Sequence, residues 1–317
     1  MSMSYSVAQQ KAYLSANLNS GLILQFLFGI YTAVLIAALL IYVSRVSRTP
    51  SNDKIVIGTL AVLYAASGLN VMTSWYYTST QLGSSIGATR AVQFKEIVSA
   101  TVPTALHVAM DVSENILFVV ADALLVWRCF YACGGRTHRT VLMVIALFIV
   151  QSVLIISSTV YTSIVNATPG FETLWREHII YCLDTVKFFS AAVTSTVATT
   201  LICRKIYKCG AETSRFWRRY RTILDALIQS SAMYSIIAML FVIFNIFLTS
   251  DMRNSFTVQL ALPYLDSFGL VIPGLAPTLM TARLFMPSTN EDTQGVSSAD
   301  SLDIVNCTRT NAADEFS

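Results

Sequence analysis

One stretch of the sequence combines ionisable side chains with enough apolar residues to cross a membrane. Residues 111–136 read DVSENILFVVADALLVWRCFYACGGR, so three carboxylates interrupt an otherwise hydrophobic run. A charged group that faces lipid costs about 2.5–3.5 kcal/mol at mid-membrane. On a helix that turns about 100° per residue, five polar side chains share one arc of roughly 100°, namely His107, Asp111, Glu114, Asn115 and Asp122. We therefore expect this arc to face the interior of a helix bundle or a water-filled cavity.

Other apolar segments carry charged groups at a matching depth. Asp184 and Lys187 are three residues apart and share one helix face, and Asp266 lies in the first half of the last apolar segment. Counting residues from the segment ends puts both aspartates roughly 10 Å deep, as it does Asp111. The sequence therefore predicts a polar ligand pocket formed by His107, Asp111, Glu114, Asn115, Asp184, Lys187 and Asp266. Its excess negative charge favours a cationic or hydrogen-bonding ligand. The alternative is that these groups only hold the helices together.

The carboxylate of Asp122 lies deeper than this pocket, within about two turns of Arg128. These two residues are predicted to form a polar switch near the inner face, where Asp122 could pair with basic side chains. A transporter would instead use Asp111, Glu114 and Asp122 as a relay along one helix face.

The composition indicates which elements position these groups. Hydrophobic residues make up 54% of the 317 and charged residues 12%, against about 25% charged in ordinary soluble proteins. We predict an all-α, polytopic membrane protein with a seven-helix bundle. Each of its apolar runs can span about 30 Å, and they lie at roughly 22–43, 54–76, 104–131, 140–163, 179–203, 226–249 and 260–285.

The distribution of Lys and Arg predicts the orientation of the bundle. Fifteen of these residues lie on the first, third and fifth connections and in the C-terminal segment, against five on the opposite side. The N-terminus is therefore expected outside and the C-terminus in the cytosol. Residues 1–20 are predicted to be a short extracytoplasmic tail, 21–286 the transmembrane domain and 287–317 a disordered cytosolic tail.

Two further segments predict surface features. The fifth connection interleaves basic and aromatic residues, which favours contact with anionic lipid or with an acidic partner; the residues are Arg215, Trp217, Arg218, Arg219 and Arg221. Asn166 begins an Asn-Ala-Thr sequon in a predicted outer loop, so it is a candidate glycosylation site.

The topology resembles that of G-protein-coupled receptors, without the motifs of their rhodopsin-like class. The seventh segment has no Lys, which excludes a microbial rhodopsin. ADALLVWRC (121–129), ILDALIQSSAMYSI (223–236) and GLAPTLMTAR (274–283) resemble seven-helix membrane proteins of basidiomycete fungi that have no assigned ligand. The likeness covers roughly residues 20–290. It implies a fungal integral membrane protein of receptor-like topology and supplies no catalytic residues.

These features predict a receptor-like protein that senses a small ligand in an outward-facing polar pocket and signals through its basic cytosolic loop. The alternative is a small-solute or proton-coupled transporter. No phosphate-binding or HExxH motif occurs and the chain has 3 histidines, so we predict no enzyme, metal or cofactor. The predicted partners are the lipid bilayer, a small-molecule ligand and a G protein or other cytosolic protein, without nucleic acid. The plasma membrane is the expected location.

Overall fold

The described part of the chain consists of helices. The structure, a computed structural model, describes residues 6–45, 53–84, 104–132, 139–167, 174–210, 214–249 and 255–285. Within these ranges there are seven helices and no strand. The helices are α1 (Val7–Arg45), α2 (Asp53–Ser84), α3 (Thr104–Ala132), α4 (Arg139–Ala167), α5 (Leu174–Gly210), α6 (Ser214–Thr249) and α7 (Phe256–Phe285).

Six of these helices are long and apolar enough to cross a membrane. The exception is α3, whose ionisable side chains include Asp111, Glu114, Asp122 and Arg128. The prediction of an all-helical, multi-pass membrane protein is therefore confirmed in this coarser form. The seventh span and the orientation of the termini stay predictions.

The helices form a closed ring. Each of α1 to α7 packs against its neighbour along the chain, and α7 returns to pack against α1. Helix α3 also contacts α5 and α7. Because α3 has helices on several sides, its charged face is shielded from lipid.

The apolar face of α3 is also buried. Leu117 is 0% exposed and packs in a cluster with Leu35 of α1 and Leu63 of α2. The more exposed large hydrophobic side chains of α3 are Val112 and Ile116 in its first half and Tyr131 near its end. The arrangement explains why a helix with so many charges can occupy the interior, since most of both its polar and its apolar surface contacts protein.

Several helices continue beyond the predicted spans. Helix α1 begins at Val7, so most of the predicted outer tail is helical. Helix α5 ends at Gly210 and α6 begins at Ser214, so the basic connection is largely helical as well. The side chains of Arg215, Trp217, Arg218, Arg219 and Arg221 and the whole predicted tail 287–317 lie outside the described residues. Asn166 lies in the last turn of α4 rather than in a loop, and its side chain is not among those described.

Two glycines of α7 let neighbouring helices approach closely. A Cβ at Gly269 would overlap the ring of Phe241 on α6, and one at Gly274 would lie 2.9 Å from the Tyr31 hydroxyl of α1. Helix α7 remains continuous although it contains Pro263, Pro273 and Pro277. These contacts fix α7 between α1 and α6, which positions Asp266 one turn before Gly269.

Candidate ligand pocket

Two adjoining cavities occupy the half of the bundle in which α1, α3, α5 and α7 begin. The first chamber has a volume of about 300 Å³ and lies between α2, α3, α6 and α7. The second chamber, about 250 Å³, is bounded by α3, α4, α5, α6 and α7. Both are lined by Asp111, Glu114, Phe241 and Asp266, so they form one continuous site.

The residues that line the chambers come from the first halves of the odd-numbered helices and the last halves of the even-numbered ones. Side chains from the first halves of α3, α5 and α7 meet side chains from the last halves of α2, α4 and α6, as an up-and-down bundle requires. All seven residues of the predicted pocket line one or both chambers. His107 faces the first chamber, Asn115, Asp184 and Lys187 face the second, and Asp111, Glu114 and Asp266 face both.

Two of the four carboxylates have partners within the site. Nδ1 of His107 lies 3.1 Å from Oδ2 of Asp111, one helical turn away on α3. On α5, Nζ of Lys187 lies 3.0 Å from Oδ1 of Asp184. The Ser158 hydroxyl of α4 donates to the same oxygen of Asp184 over 2.8 Å. Asp184 and Lys187 therefore neutralise each other, as expected from their spacing.

The other two carboxylates, Glu114 and Asp266, have no hydrogen bond or ion pair to any described residue. They are close enough across the cavity for their charges to interact. The side chain of Asp266 is exposed, although it lies inside the ring of helices, because its accessible surface faces both chambers. The site therefore contains two carboxylates that are open to a ligand.

Neutral polar groups attach α3 to the helices on either side. The amide nitrogen of Asn115 donates to the Thr159 hydroxyl of α4 over 2.7 Å. The Ser113 hydroxyl donates to Oδ1 of Asn70 on α2 over 2.8 Å. Oδ1 of Asn115 has no partner, although the residue is only 8% exposed. One buried acceptor in the wall of the second chamber is thus left unpaired.

An aromatic layer underlies the chambers on the side toward the end of α7. It consists of Phe118, Phe188, Phe241 and Tyr234, all buried. Phe188 and Phe241 stack with centroids 4.5 Å apart, and Phe118 meets Phe188 edge-on at 5.3 Å and Tyr234 at 5.9 Å. Such close packing of large rings excludes water. On the side of α3, α5 and α6 the layer therefore lies between the chambers and the polar groups beyond it.

Beyond this layer, Asp122 forms its own polar cluster. It is 2% exposed and accepts hydrogen bonds from the Tyr234 hydroxyl, over 2.8 Å, and from the amide nitrogen of Gln151 on α4. The amide oxygen of Gln151 has no partner. Both donors are uncharged, so hydrogen bonds alone hold this carboxylate.

Among the described residues Asp122 makes no ion pair with a basic side chain, so its pairing with an inner-face Arg stays a prediction. Arg128 instead donates to the Thr281 hydroxyl of α7 over 2.6 Å and contacts the Met280 sulfur. Six residues of helix rotate Arg128 by about 240° from Asp122, so the two point to different neighbours. Both still line a small cavity of about 40 Å³, bounded also by Pro273.

Sequence reasoning missed the aromatic layer and the partners of Asp122. Phe188 and Phe241 belong to apolar runs in which no spacing distinguishes them from lipid-facing residues. Gln151 did carry a signal, because it is an isolated amide in the middle of the very apolar helix α4. An amide there needs a hydrogen-bonding partner inside the bundle, and the polar arc of α3 offers one.

The ionisable groups of the site do not form a metal-binding cluster among the described residues. Across the described ranges, no three His, Cys, Asp or Glu side chains come close enough together to hold a metal.

Comparisons of the chain with protein-family models, with curated proteins and with solved structures gave no match. The chemistry of this pocket is therefore the basis for its functional interpretation.

Proposed function

We propose that the chain is a receptor-like seven-helix membrane protein that senses a small ligand in the two chambers. In this proposal α3 is the seventh span, the N-terminus is outside and the chambers open outward. The observation that carries it is the aromatic layer, because it closes the chambers toward the inner face. A ligand that enters such a pocket leaves by the way it came, which suits a sensor.

The same layer argues against the transporter. A proton relay along α3 would have to pass from Glu114 to Asp122, eight residues or roughly 12 Å along the helix. Phe118 lies between them, is 3% exposed and packs against Phe188 and Tyr234. A continuous water path through the described part of the bundle would require these rings to move.

The outward orientation is supported by charge. Among the described side chains, Arg139, Arg204, Lys205 and Arg283 lie at the end of the bundle away from the chambers, against Lys11 and Arg176 at the chamber end. Basic residues gather at the cytosolic face of membrane proteins. A chamber that opens at the opposite face therefore receives extracellular ligands, if the plasma membrane holds the protein.

A route for signalling runs through α6. Phe241 lines both chambers and rests on Gly269 of α7. Helix α6 extends from this ring back to Ser214, beside the basic residues expected to contact a G protein or another cytosolic partner. A ligand that shifts the Phe241 ring would thus act directly on the helix that reaches the inner face.

The test measures access to each side of the aromatic layer. In a chain whose 6 native cysteines are replaced, we would introduce either Thr162→Cys, which lines the second chamber, or Ser230→Cys, which lines the small inner cavity. Both positions are half-buried. Intact cells are then treated with a membrane-impermeant thiol reagent, and permeabilised cells provide the matched control.

We expect Thr162→Cys to react in intact cells and Ser230→Cys to react only after permeabilisation. Reaction of both in intact cells would mean a water path across the layer and would favour the transporter. If Thr162→Cys stays unreacted before and after permeabilisation, the chambers are not water-accessible and the polar groups serve only to hold the helices together.

A further inference from the structure

We propose that the ligand is a small organic ammonium compound whose charge is held between Glu114 and Asp266. This inference rests on the proposed function, since it assumes that the chambers are a ligand pocket. It goes further by assigning the ligand class and by naming which two of the four carboxylates bind it.

In the described part of the chain, Glu114 and Asp266 are the two carboxylates of the site without a direct partner, although the Lys187 ammonium acts electrostatically on Glu114 as well as on Asp184. Asp184 is paired with Lys187 at 3.0 Å and Asp111 contacts His107 at 3.1 Å. Glu114 and Asp266 have no such partner among the described residues, and each faces both chambers. A cleft with low-dielectric walls and one sign of charge concentrates ions of the opposite sign.

A role in holding the helices together does not explain these two carboxylates. Structural polar groups inside a membrane are kept by hydrogen bonds to other helices, as Asn115 and Thr159 illustrate at 2.7 Å. Glu114 and Asp266 make none within the described part of the chain. Two carboxylates that line the same chambers and interact electrostatically are stabilised either by a cation or by a shared proton, and our proposal takes the cation.

A second observation points to a ligand independently of the acidic groups. Oδ1 of Asn115, a residue in the wall of the second chamber, is a buried acceptor without a donor. Leaving such an acceptor unpaired costs about 1–3 kcal/mol. A ligand with N–H groups would supply the missing donor through a small side-chain rotation, and an ammonium group provides N–H donors together with the positive charge.

The walls favour an organic cation over an inorganic one. The lining of the first chamber includes the apolar side chains of Met110, Phe241 and Leu270. An aromatic face beside a carboxylate pair suits the hydrocarbon part of an amine and attracts the cation itself. At about 300 and 250 Å³ the chambers lie at the small end of ligand pockets, which limits the ligand to a compact molecule.

The experiment measures the charge preference of the chamber with two reagents of similar size. Thiol reaction rates of Thr162→Cys would be measured with the cationic 2-(trimethylammonium)ethyl and the anionic 2-sulfonatoethyl methanethiosulfonate. Each rate is divided by the rate with a free thiol in solution. The same measurement is made with Glu114→Gln and Asp266→Asn added together, and with Asp225→Asn, an exposed carboxylate at the far end of α6, as the matched control.

We expect the cationic reagent to be favoured by about 10-fold or more. The double substitution should slow the cationic reagent and speed the anionic one, whereas Asp225→Asn should change neither. These opposite shifts separate loss of charge from misfolding, which would speed both reagents. If Thr162→Cys reacts without charge preference, the pocket stands but the two carboxylates are neutral, and the cation inference is overturned. If it reacts with neither reagent, the pocket itself fails.

Competition then distinguishes organic from inorganic cations. Benzylammonium chloride should slow the cationic reagent more than sodium chloride or calcium chloride at equal ionic strength, and the difference should vanish in the double variant. Equal slowing by all three salts would indicate a site for simple ions and would overturn the organic part of the proposal.

Discussion

At the scale of single residues, Asp122 is a buried carboxylate held only by uncharged hydrogen-bond donors. It is almost fully buried, two uncharged donors satisfy it, and the neighbouring Gln151 retains an unpaired amide oxygen. Asparagine has nearly the same shape as aspartate and would satisfy more of the surrounding hydrogen-bonding groups. An asparagine at 122 can accept both existing hydrogen bonds and donate its own amide hydrogen to Gln151.

We therefore predict that Asp122→Asn leaves the thermal stability of the detergent-purified protein unchanged or raises it. Asp122→Leu, which is similarly branched but larger and apolar, should instead leave the donors of Gln151 and Tyr234 unpaired, at about 1–3 kcal/mol each. Thermal unfolding of the two variants beside the parent chain checks this. If Asp122→Asn destabilised the protein as much as Asp122→Leu, the negative charge of Asp122 would be needed for stability. A cation that binds this carboxylate would then have to lie nearby.

The sequence predicted the members of the pocket better than their pairing. Helical rise is constant, so counting residues puts Asp111, Asp184 and Asp266 at one depth, and all three line the second chamber. Which side chains meet across helices depends on the rotation of each helix about its axis, which the sequence does not give. For that reason the i to i+3 pair of Asp184 and Lys187 was predictable, while the link from Asp122 to Gln151 was not.

At the scale of helices, the contact between α6 and α7 controls the floor of the chambers. Gly269 has no side chain where Phe241 packs. We predict that Gly269→Ala displaces this ring and lowers the free energy of unfolding by about 1–3 kcal/mol, as overpacking does. Thermal unfolding and the reactivity of Ser230→Cys in intact cells would report stability and closure of the layer separately.

Two controls belong to this prediction. Gly29→Ala adds the same methyl group to a helix at a position with open space around it, so it should not destabilise the protein. Adding Phe241→Leu to Gly269→Ala should recover part of the lost stability, because the smaller side chain relieves the overlap. Equal effects of Gly29→Ala and Gly269→Ala would show that the cost comes from the loss of helical glycine and not from the Phe241 ring.

Hydropathy located the helices but not their lengths. The predicted span 179–203 lies within α5, which continues to Gly210. Apolar content reveals only the part of a helix that crosses the hydrocarbon, whereas its polar extensions are stabilised by their own backbone hydrogen bonds. In helix α3 hydropathy fails in a different way. The charged residues that indicate its central position also lower its mean hydropathy, so hydropathy alone does not identify it as a span.

At the scale of the whole molecule, the proposed orientation makes a direct prediction. Lys11, near the start of α1, and Arg204, near the end of α5, are both exposed. In the cysteine-free chain, Lys11→Cys should react with an impermeant thiol reagent in intact cells, and Arg204→Cys only after permeabilisation. The opposite pattern would invert the topology, and the chambers would then open to the cytosol.

The length of α6 has a mechanical consequence. Its first residue, Ser214, precedes Phe241 by 27 positions, or roughly 40 Å along the axis, and Phe241 is where α6 rests on α7. The helix can therefore act as a lever that pivots where Phe241 packs against α7, at the floor of the chambers. Tilting it by about 5° there moves the far end by roughly 3–4 Å. A displacement by a fraction of an ångström of the short arm beyond Phe241, where Asn245 and Leu248 line the second chamber, would thus reach the basic end of α6 amplified several-fold.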